Sequence, residues 1–236
     1  MASSVAALRA LIEQRFPDAV PITRGIARPV ASGIPEMDRA LPKGGFPLGR
    51  LSVCAPHGGI TAILRAACRN ATRDGERAAW VDAGRTIAGA FWNDAALLVR
   101  PATLSHAVRA ASELLHAGGF RLVVLAGAEL AAPQVARLVR AAHEGGGAFV
   151  LLTEHSSMAA LRLSARIAPE AYRWDHDPFG GPAHVRDVQL DIHVRALGWN
   201  ARARFPLPVQ SHELRLALES GLADRRGLPR TRLRAP

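Results

Sequence analysis

Residues 51–63 of the 236-residue chain read LSVCAPHGGITAI. An apolar run enters a glycine turn and leaves it in helix-forming sequence, the setting in which phosphate-binding loops occur. Such a loop, G-x-x-x-x-G-K-[ST], works through defined parts. Its glycines let backbone N–H groups turn inward around the phosphates, its lysine neutralises β and γ charge, and its hydroxyl holds magnesium. Gly58, Gly59 and Thr61 fit that scheme. The opening glycine is instead Ala55, Pro56 and His57 follow it, and Ile60 stands where the lysine belongs. A hydrocarbon in place of an ammonium does not stabilise a triphosphate. Residues 55–61 therefore read as a vestigial nucleotide site whose ordinary role is a glycine turn opening a helix. A helix N-terminus alone could still hold a weak anion.

Other residues with chemical potential are weaker. Asp175, His176, Asp177 and His184 fall in one stretch, DHDPFGGPAH, but their spacing matches no established zinc pattern. A solvated turn is the better reading, so no metal and no cofactor is expected. His155 beside Ser156 and Ser157 offers a base and a nucleophile, yet sequence neighbours rarely reach catalytic geometry. A helix N-cap at Ser156 or Ser157 is simpler. Trp174 and Trp199 could stack on bases, with core or sheet-edge packing as the default.

The elements that must position these residues follow from composition and pattern. Hydrophobic residues make up 49% of the chain, enough for a packed core. The formal net charge of +10 suggests acidic partners: nucleic acid, a membrane surface or an acidic protein face. Lys43 is the single lysine, so the charge is almost all arginine. With so much alanine, that bias reads equally as GC-rich coding, and DNA contact stays open. Cys54 and Cys68 form neither a disulfide framework nor a zinc spacing, which fits a reducing cytoplasm. Arg9 and Glu13 interrupt the N-terminal apolar stretch, so no secretory leader is expected. No uncharged apolar window is long enough for a membrane span. The expected location is cytoplasmic, with nucleoid association open and no membrane partner.

Val5, Leu8, Ile12 and Phe16 make one stripe of an amphipathic helix, ended by Pro17 and Pro21. Residues 17–35 look like a linker. From residue 49, short apolar strands alternate with helices: RLSVCA, ITAILRAACRNA, AAWVDA, ALLVRP, SHAVRAASELLHAGG, RLVVLAG, PQVARLVRAAHEGGG and AFVLLTE. That rhythm means βαβ units and a parallel sheet covered on both faces. After about residue 165, RIAPEAYRW, VRDVQLDIHVRAL and ARARFPLPV read as strands joined by turns, adding antiparallel pairing at the sheet edge. SHELRLALESGLADRRG can form a last helix, with Leu214, Leu218 and Leu222 at every fourth residue. An arginine-rich tail follows, carrying Arg225, Arg226, Arg230, Arg232 and Arg234 without a counter-charge after Asp224. An apolar stripe plus a basic tail suits a helix-in-groove contact. The expected division is 1–30 as helical arm and linker, 31–210 as core, and 211–236 as C-terminal helix and tail.

The stretch SGIPEMDRALPKGGFPLGRLSVCAPHGGITAILRAA resembles the segment that opens the ATPase core of RecA recombinases. The matching parts are Ser32-Gly33, Met37-Asp38, Ala40-Leu41, then Gly44-Gly45-Phe46-Pro47 with Gly49-Arg50. AAWVDAG is similar to the RecA strand that ends in an Asp-Ala-Glu triplet. The stretch 96–127 is similar to the later strand–helix–strand unit. The resemblance spans roughly residues 30–205. It implies a RecA-like α/β core: a mostly parallel twisted sheet flanked by helices, with antiparallel strands at the C-terminal edge. Carried over residue by residue, the phosphate-loop lysine falls on Ile60, the water-activating glutamate on Gly84 and the Walker B aspartate on Ala126. Charge neutralisation, water activation and metal support are all vacant, so hydrolysis is not expected. The stretches that would hold the two DNA-binding loops pass almost directly from strand to helix, leaving no room for them.

A short basic chain with this fold and these vacancies resembles the ImuA group, RecA-like accessory proteins of the bacterial mutasome. That resemblance implies a non-catalytic adaptor in SOS-induced mutagenesis and translesion synthesis. Its implied partners are ImuB, an inactive Y-family polymerase homologue, and RecA. An error-prone replicative-type polymerase and the sliding clamp would be reached indirectly. The two terminal elements are the expected contact regions. Two alternatives stand beside it: a SulA-like cell-division inhibitor, and a divergent DNA-dependent ATPase.

Overall fold

A computed structural model of the chain describes residues 28–87, 92, 95–154 and 156–208. The arm stripe at Val5, Leu8, Ile12 and Phe16, and the C-terminal helix and arginine tail, lie outside the described residues. The described elements are α1 (Pro35–Ala40), a 3-10 turn (Pro42–Gly44), β1 (Leu51–Cys54), α2 (Ile60–Arg73), β2 (Ala78–Asp82), β3 (Leu97–Val99), α3 (Leu104–His116), β4 (Leu122–Ala126), α4 (Ala132–Gly145), β5 (Ala148–Leu152), β6 (Leu161–His176), β7 (Pro182–Ala196) and β8 (Trp199–Pro208).

These strands form one eight-stranded sheet in the order β3-β2-β4-β5-β1-β6-β7-β8. Every pair from β3 to β6 is parallel. β6, β7 and β8 are antiparallel hairpin neighbours. The protein is thus a mixed α/β fold with a mostly parallel sheet, flanking helices and antiparallel strands at one edge. No helix among the described residues is long and apolar enough to cross a membrane.

The central strands are buried along their whole length, as continuous apolar runs in a doubly covered parallel sheet should be. Two apolar layers lie on opposite faces. One joins α1 and α2 to the inner residues of β6–β8, including Leu161, Leu163, Leu190, Ile192 and Phe205. The other joins α3 and α4 to β1, β2, β4 and β5. Right-handed crossovers place them so: β1 to β2 runs one way along the sheet, and β3 to β4 to β5 runs back. Thr103 caps α3, its hydroxyl accepting from the His106 amide at 3.2 Å. α4 ends at Gly146 in the left-handed region, the glycine stop its sequence announced.

The lead-in segment folds around Asp38. Its Oδ1 accepts from the Ser32 amide at 2.6 Å and the Ser32 hydroxyl at 2.7 Å, and its Oδ2 from the Gly33 amide at 3.2 Å. Ser32 is fully buried, so this carboxylate satisfies donors that would otherwise be stranded. Val30 bridges Phe46 and is itself buried, so the core begins inside the stretch read as linker. Asp38→Ala is expected to cost about 3 kcal/mol, since hydrogen bonds to a charged acceptor carry roughly 1.5–3 kcal/mol each and are not additive. Urea unfolding followed by tryptophan fluorescence measures it, and a loss below about 1 kcal/mol would show the turn holds without the carboxylate.

One expectation fails. Residues after β5 do not pass into a helix. Residues 153–154 and 156–160 are irregular, Ser156 and Ser157 cap nothing helical, and β6 begins at Leu161. The alanine and leucine of MAALRLSA favour helix by propensity, but parallel pairing of Leu161, Arg162 and Leu163 with Ser52, Val53 and Cys54 overrides it.

Candidate functional site

In an open parallel sheet, ligand sites lie beyond the C-terminal ends of the strands. β1, β5, β4 and β2 end there at one level. Cys54 is in register with Leu152, and Ala126 with Asp82. The residues singled out from the sequence at 55–61, 84 and 126 therefore do share one edge of the sheet.

The glycine turn is built by packing. Gly58 and Gly59 have φ of +65° and +86°, a region in which glycine alone is unstrained. A Cβ on Gly58 would lie 2.0 Å from the Ala165 carbonyl oxygen, and one on Gly59 would lie 2.9 Å from Leu190 Cδ2. The turn backbone is thus pressed onto β6 and β7. The Ala55 amide donates to the Leu163 carbonyl at 3.0 Å, extending the β1–β6 pairing into the turn. Ile60 is buried to 1% exposure within the apolar layer under α2. Pro56, His57 and Thr61 are exposed, and His57 Nδ1 pairs with Glu154 Oε1 at 3.1 Å. Ile60, at the place a phosphate-loop lysine would take, is thus part of the core.

Gly84 and Ala126 are likewise engaged in backbone contacts. A Cβ on Gly127 would lie 2.5 Å from the Gly84 nitrogen, so the loops after β2 and β4 meet backbone to backbone. Gly84 is half of that contact. Ala126 is buried, and its carbonyl accepts from the Ala83 amide at 2.9 Å. Asp82, the acid that survives here, is fully buried and fully used. Its Oδ1 accepts from the Thr86 amide and hydroxyl, both at 3.1 Å, and its Oδ2 from the Ile87 amide at 2.8 Å. It closes the turn that follows β2. Burial pushes the Cys54 thiol, at the end of β1, well above its ordinary pKa and keeps it protonated.

The remaining candidates are dispersed. Asp177 Oδ1 accepts from the Phe179 and Gly181 amides at 2.9 and 2.8 Å, closing the tip of the β6–β7 hairpin. Asp175 faces Arg186 at 3.9 Å. Among the described residues no three His, Cys, Asp or Glu side chains gather as metal ligands. His155 lies outside the described residues. Trp199 is tied down: its Nε1 donates to the Ala40 carbonyl at 2.8 Å and pins β8 to α1. Trp174 is half exposed on β6.

A feature that single residues did not announce is the outer face of β6–β8. Arg162, Ser164, Arg166, Asp191, His193, Arg195, Arg202 and Arg204 project there, next to His57 and Gly58, around a shallow concavity of about 960 Å³ and a second one continuous with it. The signal was the two-residue alternation in LRLSAR, DIHVR and ARARF. The Arg204 guanidinium, hydrogen-bonded to Asp191, holds that carboxyl below the usual carboxylate range, and Arg166 adds to the effect.

Fold and site together define a parallel α/β scaffold whose strand–glycine turn–helix corner is consolidated by packing. No protein-family model matches the chain, and no curated protein matches it.

Proposed function

We propose that this protein is a non-catalytic, RecA-like adaptor of the ImuA kind, acting in damage-induced mutagenesis by holding ImuB and RecA together. The observation that carries the reading is the consolidated corner. Ile60 in the core, Gly84 against Gly127, and Ala126 level with a committed Asp82 put no ammonium, no water-activating glutamate and no metal-supporting aspartate at the three positions where a RecA-type hydrolysis would need them. A chain with this corner keeps the sheet as a platform for other proteins. In this reading the arm at Val5–Phe16 and the segment 211–236 make the contacts, ImuB being taken by the C-terminal segment.

Phosphate release and co-capture test it. The full chain is expected to release no phosphate from ATP above protein-free hydrolysis, with or without single-stranded DNA. Release that DNA stimulates and Thr61→Ala abolishes would replace the adaptor with a divergent ATPase. Tagged full-length protein is expected to retain ImuB, and the chain lacking 211–236 to retain far less. Equal retention moves the contact off the tail, and no retention by either form ends the reading.

A further inference from the structure

Among the described residues, the sheet carries an uncovered face of unusual composition. Nine outward positions of β6, β7 and β8 form three rows across the strands: Arg162–Arg195–Asn200, Ser164–His193–Arg202 and Arg166–Asp191–Arg204. Residues paired across neighbouring strands share a face. The face is the one that α3 and α4 cover over β1, β2, β4 and β5, because Arg162 is in register with Val53 of that layer. No residue of β6–β8 joins the buried part of that layer. Arg166, Arg195, Arg202 and Arg204 are exposed, and Arg162 is half-buried.

The grid holds five arginines and one carboxylate, with Glu154 at its border near Arg162 and Arg195 and paired with His57. Asp191 is bound by Arg204, leaving Arg195 and Arg202 without a carboxylate partner among the described residues. His193 is occupied through Nε2 by Asn200 Oδ1 at 2.7 Å. Arg162 lies directly opposite Arg195, although like charges directly opposite each other destabilise a sheet. The Arg162 guanidinium donates to the Ser156 carbonyl, and no ion pair among the described residues offsets the two opposed charges, which a polyanion would do.

We propose that the outer face of β6–β8 binds the phosphate backbone of DNA. Strands spaced by about 4.8 Å, with same-face residues about 6.8 Å apart, present a two-dimensional array of guanidinium forks at the scale of successive phosphates. Arginine suits this role because its planar fork matches phosphate oxygens two at a time. The remaining grid positions are Ser164 and Asn200, hydrogen-bonding groups that complement phosphate and sugar oxygens. No aromatic residue stands in the grid, so contact is to the backbone and indifferent to base sequence. The chain's own terminal segments do not fit. Residues 1–27 carry three arginines against two acids, and residues 209–236 carry six against three. A second copy would bring a net charge of +10 with it.

The test needs neither nucleotide nor protein partner, so its failure is distinct from failure of the adaptor reading. Fluorescence anisotropy of the full chain is measured with a thymidine homopolymer of about 30 nucleotides and a duplex of equal length, from about 50 to about 300 mM salt. Arg195→Glu/Arg202→Glu is compared with Arg137→Glu/Arg140→Glu, which changes net charge equally on the exposed side of α4. The face variant is expected to bind both probes at least about tenfold more weakly and to lower the salt slope by about two, with the α4 variant changed less than about threefold. Its fold is secure, because neither arginine makes an ion pair among the described residues and Arg195→Glu relieves the Arg162 repulsion. Arg195→Lys/Arg202→Lys is expected to keep most of the binding. Equal losses in the two glutamate variants, or no loss in either, would overturn the proposal. So would unchanged DNA binding by the face variant, whatever the α4 variant does.

Discussion

Ile60→Lys is expected to destabilise the protein by about 4 kcal/mol and to confer no nucleotide binding. It restores the residue that a phosphate loop would have at this point. Ile60 is 1% exposed and lies in the apolar layer that runs under α2. The substitution removes a buried branched hydrocarbon, which contributes roughly 2–3 kcal/mol, and strips hydration from an ammonium. The buried carboxylate at this level of the sheet, Asp82, is spent on Thr86 and Ile87, and Glu154 is paired with His57. Chemical denaturation gives the stability change, and calorimetric titration with ATP and magnesium gives the binding. A loss under about 1 kcal/mol would mean that the lysine reaches solvent past Thr61 and that the corner retains space for a phosphate. Measurable ATP affinity in this variant would go further and show a dormant site needing a single residue.

The contrast between this corner and the arginine face shows which parts of the structure the sequence carries openly. The βαβ rhythm from residue 49 to 152 is written in local terms: apolar runs of strand length, amphipathic helices and glycine stops such as Gly146. Each depends on neighbours within a few residues, so pattern alone recovers it. The departures from a phosphate-site motif at 60, 84 and 126 were legible too, because a motif states which residue type each role needs. Their structural uses were not. That Gly58 answers to Ala165 and Gly84 to Gly127 depends on contacts across about 107 and about 43 positions of chain, which no local spacing encodes. The arginine face was hidden for a related reason. Alternation in ARARF says that arginines share a side, but the rows exist only once β6, β7 and β8 are in register. β6 itself was obscured by a helix-favouring composition that pairing with β1 overrides.

Gly58→Ala is expected to cost more than about 3 kcal/mol, even though the turn binds nothing in the proposed function. Two independent penalties combine. A side chain at φ +65° carries roughly 1–2 kcal/mol of backbone strain. The added Cβ would also sit 2.0 Å from the Ala165 carbonyl oxygen, so either the turn or β6 must move. Moving β6 breaks register with β1, where Ser52, Val53 and Cys54 pair with Leu161, Arg162 and Leu163. It would also tilt the strand that places Arg162 and Arg166 on the outer face. Stability and DNA affinity are therefore expected to fall together in Gly58→Ala. Thr61→Ala, exposed on the first turn of α2, is expected to leave both within error. Thermal unfolding and the anisotropy assay on both variants check this. A Gly58→Ala protein of full stability would show that the turn stands off from β6, and the packing account of the glycine pair would then fail. The glycines of this corner are needed because two strands lie against them, and in a turn without that contact alanine would cost the backbone strain alone.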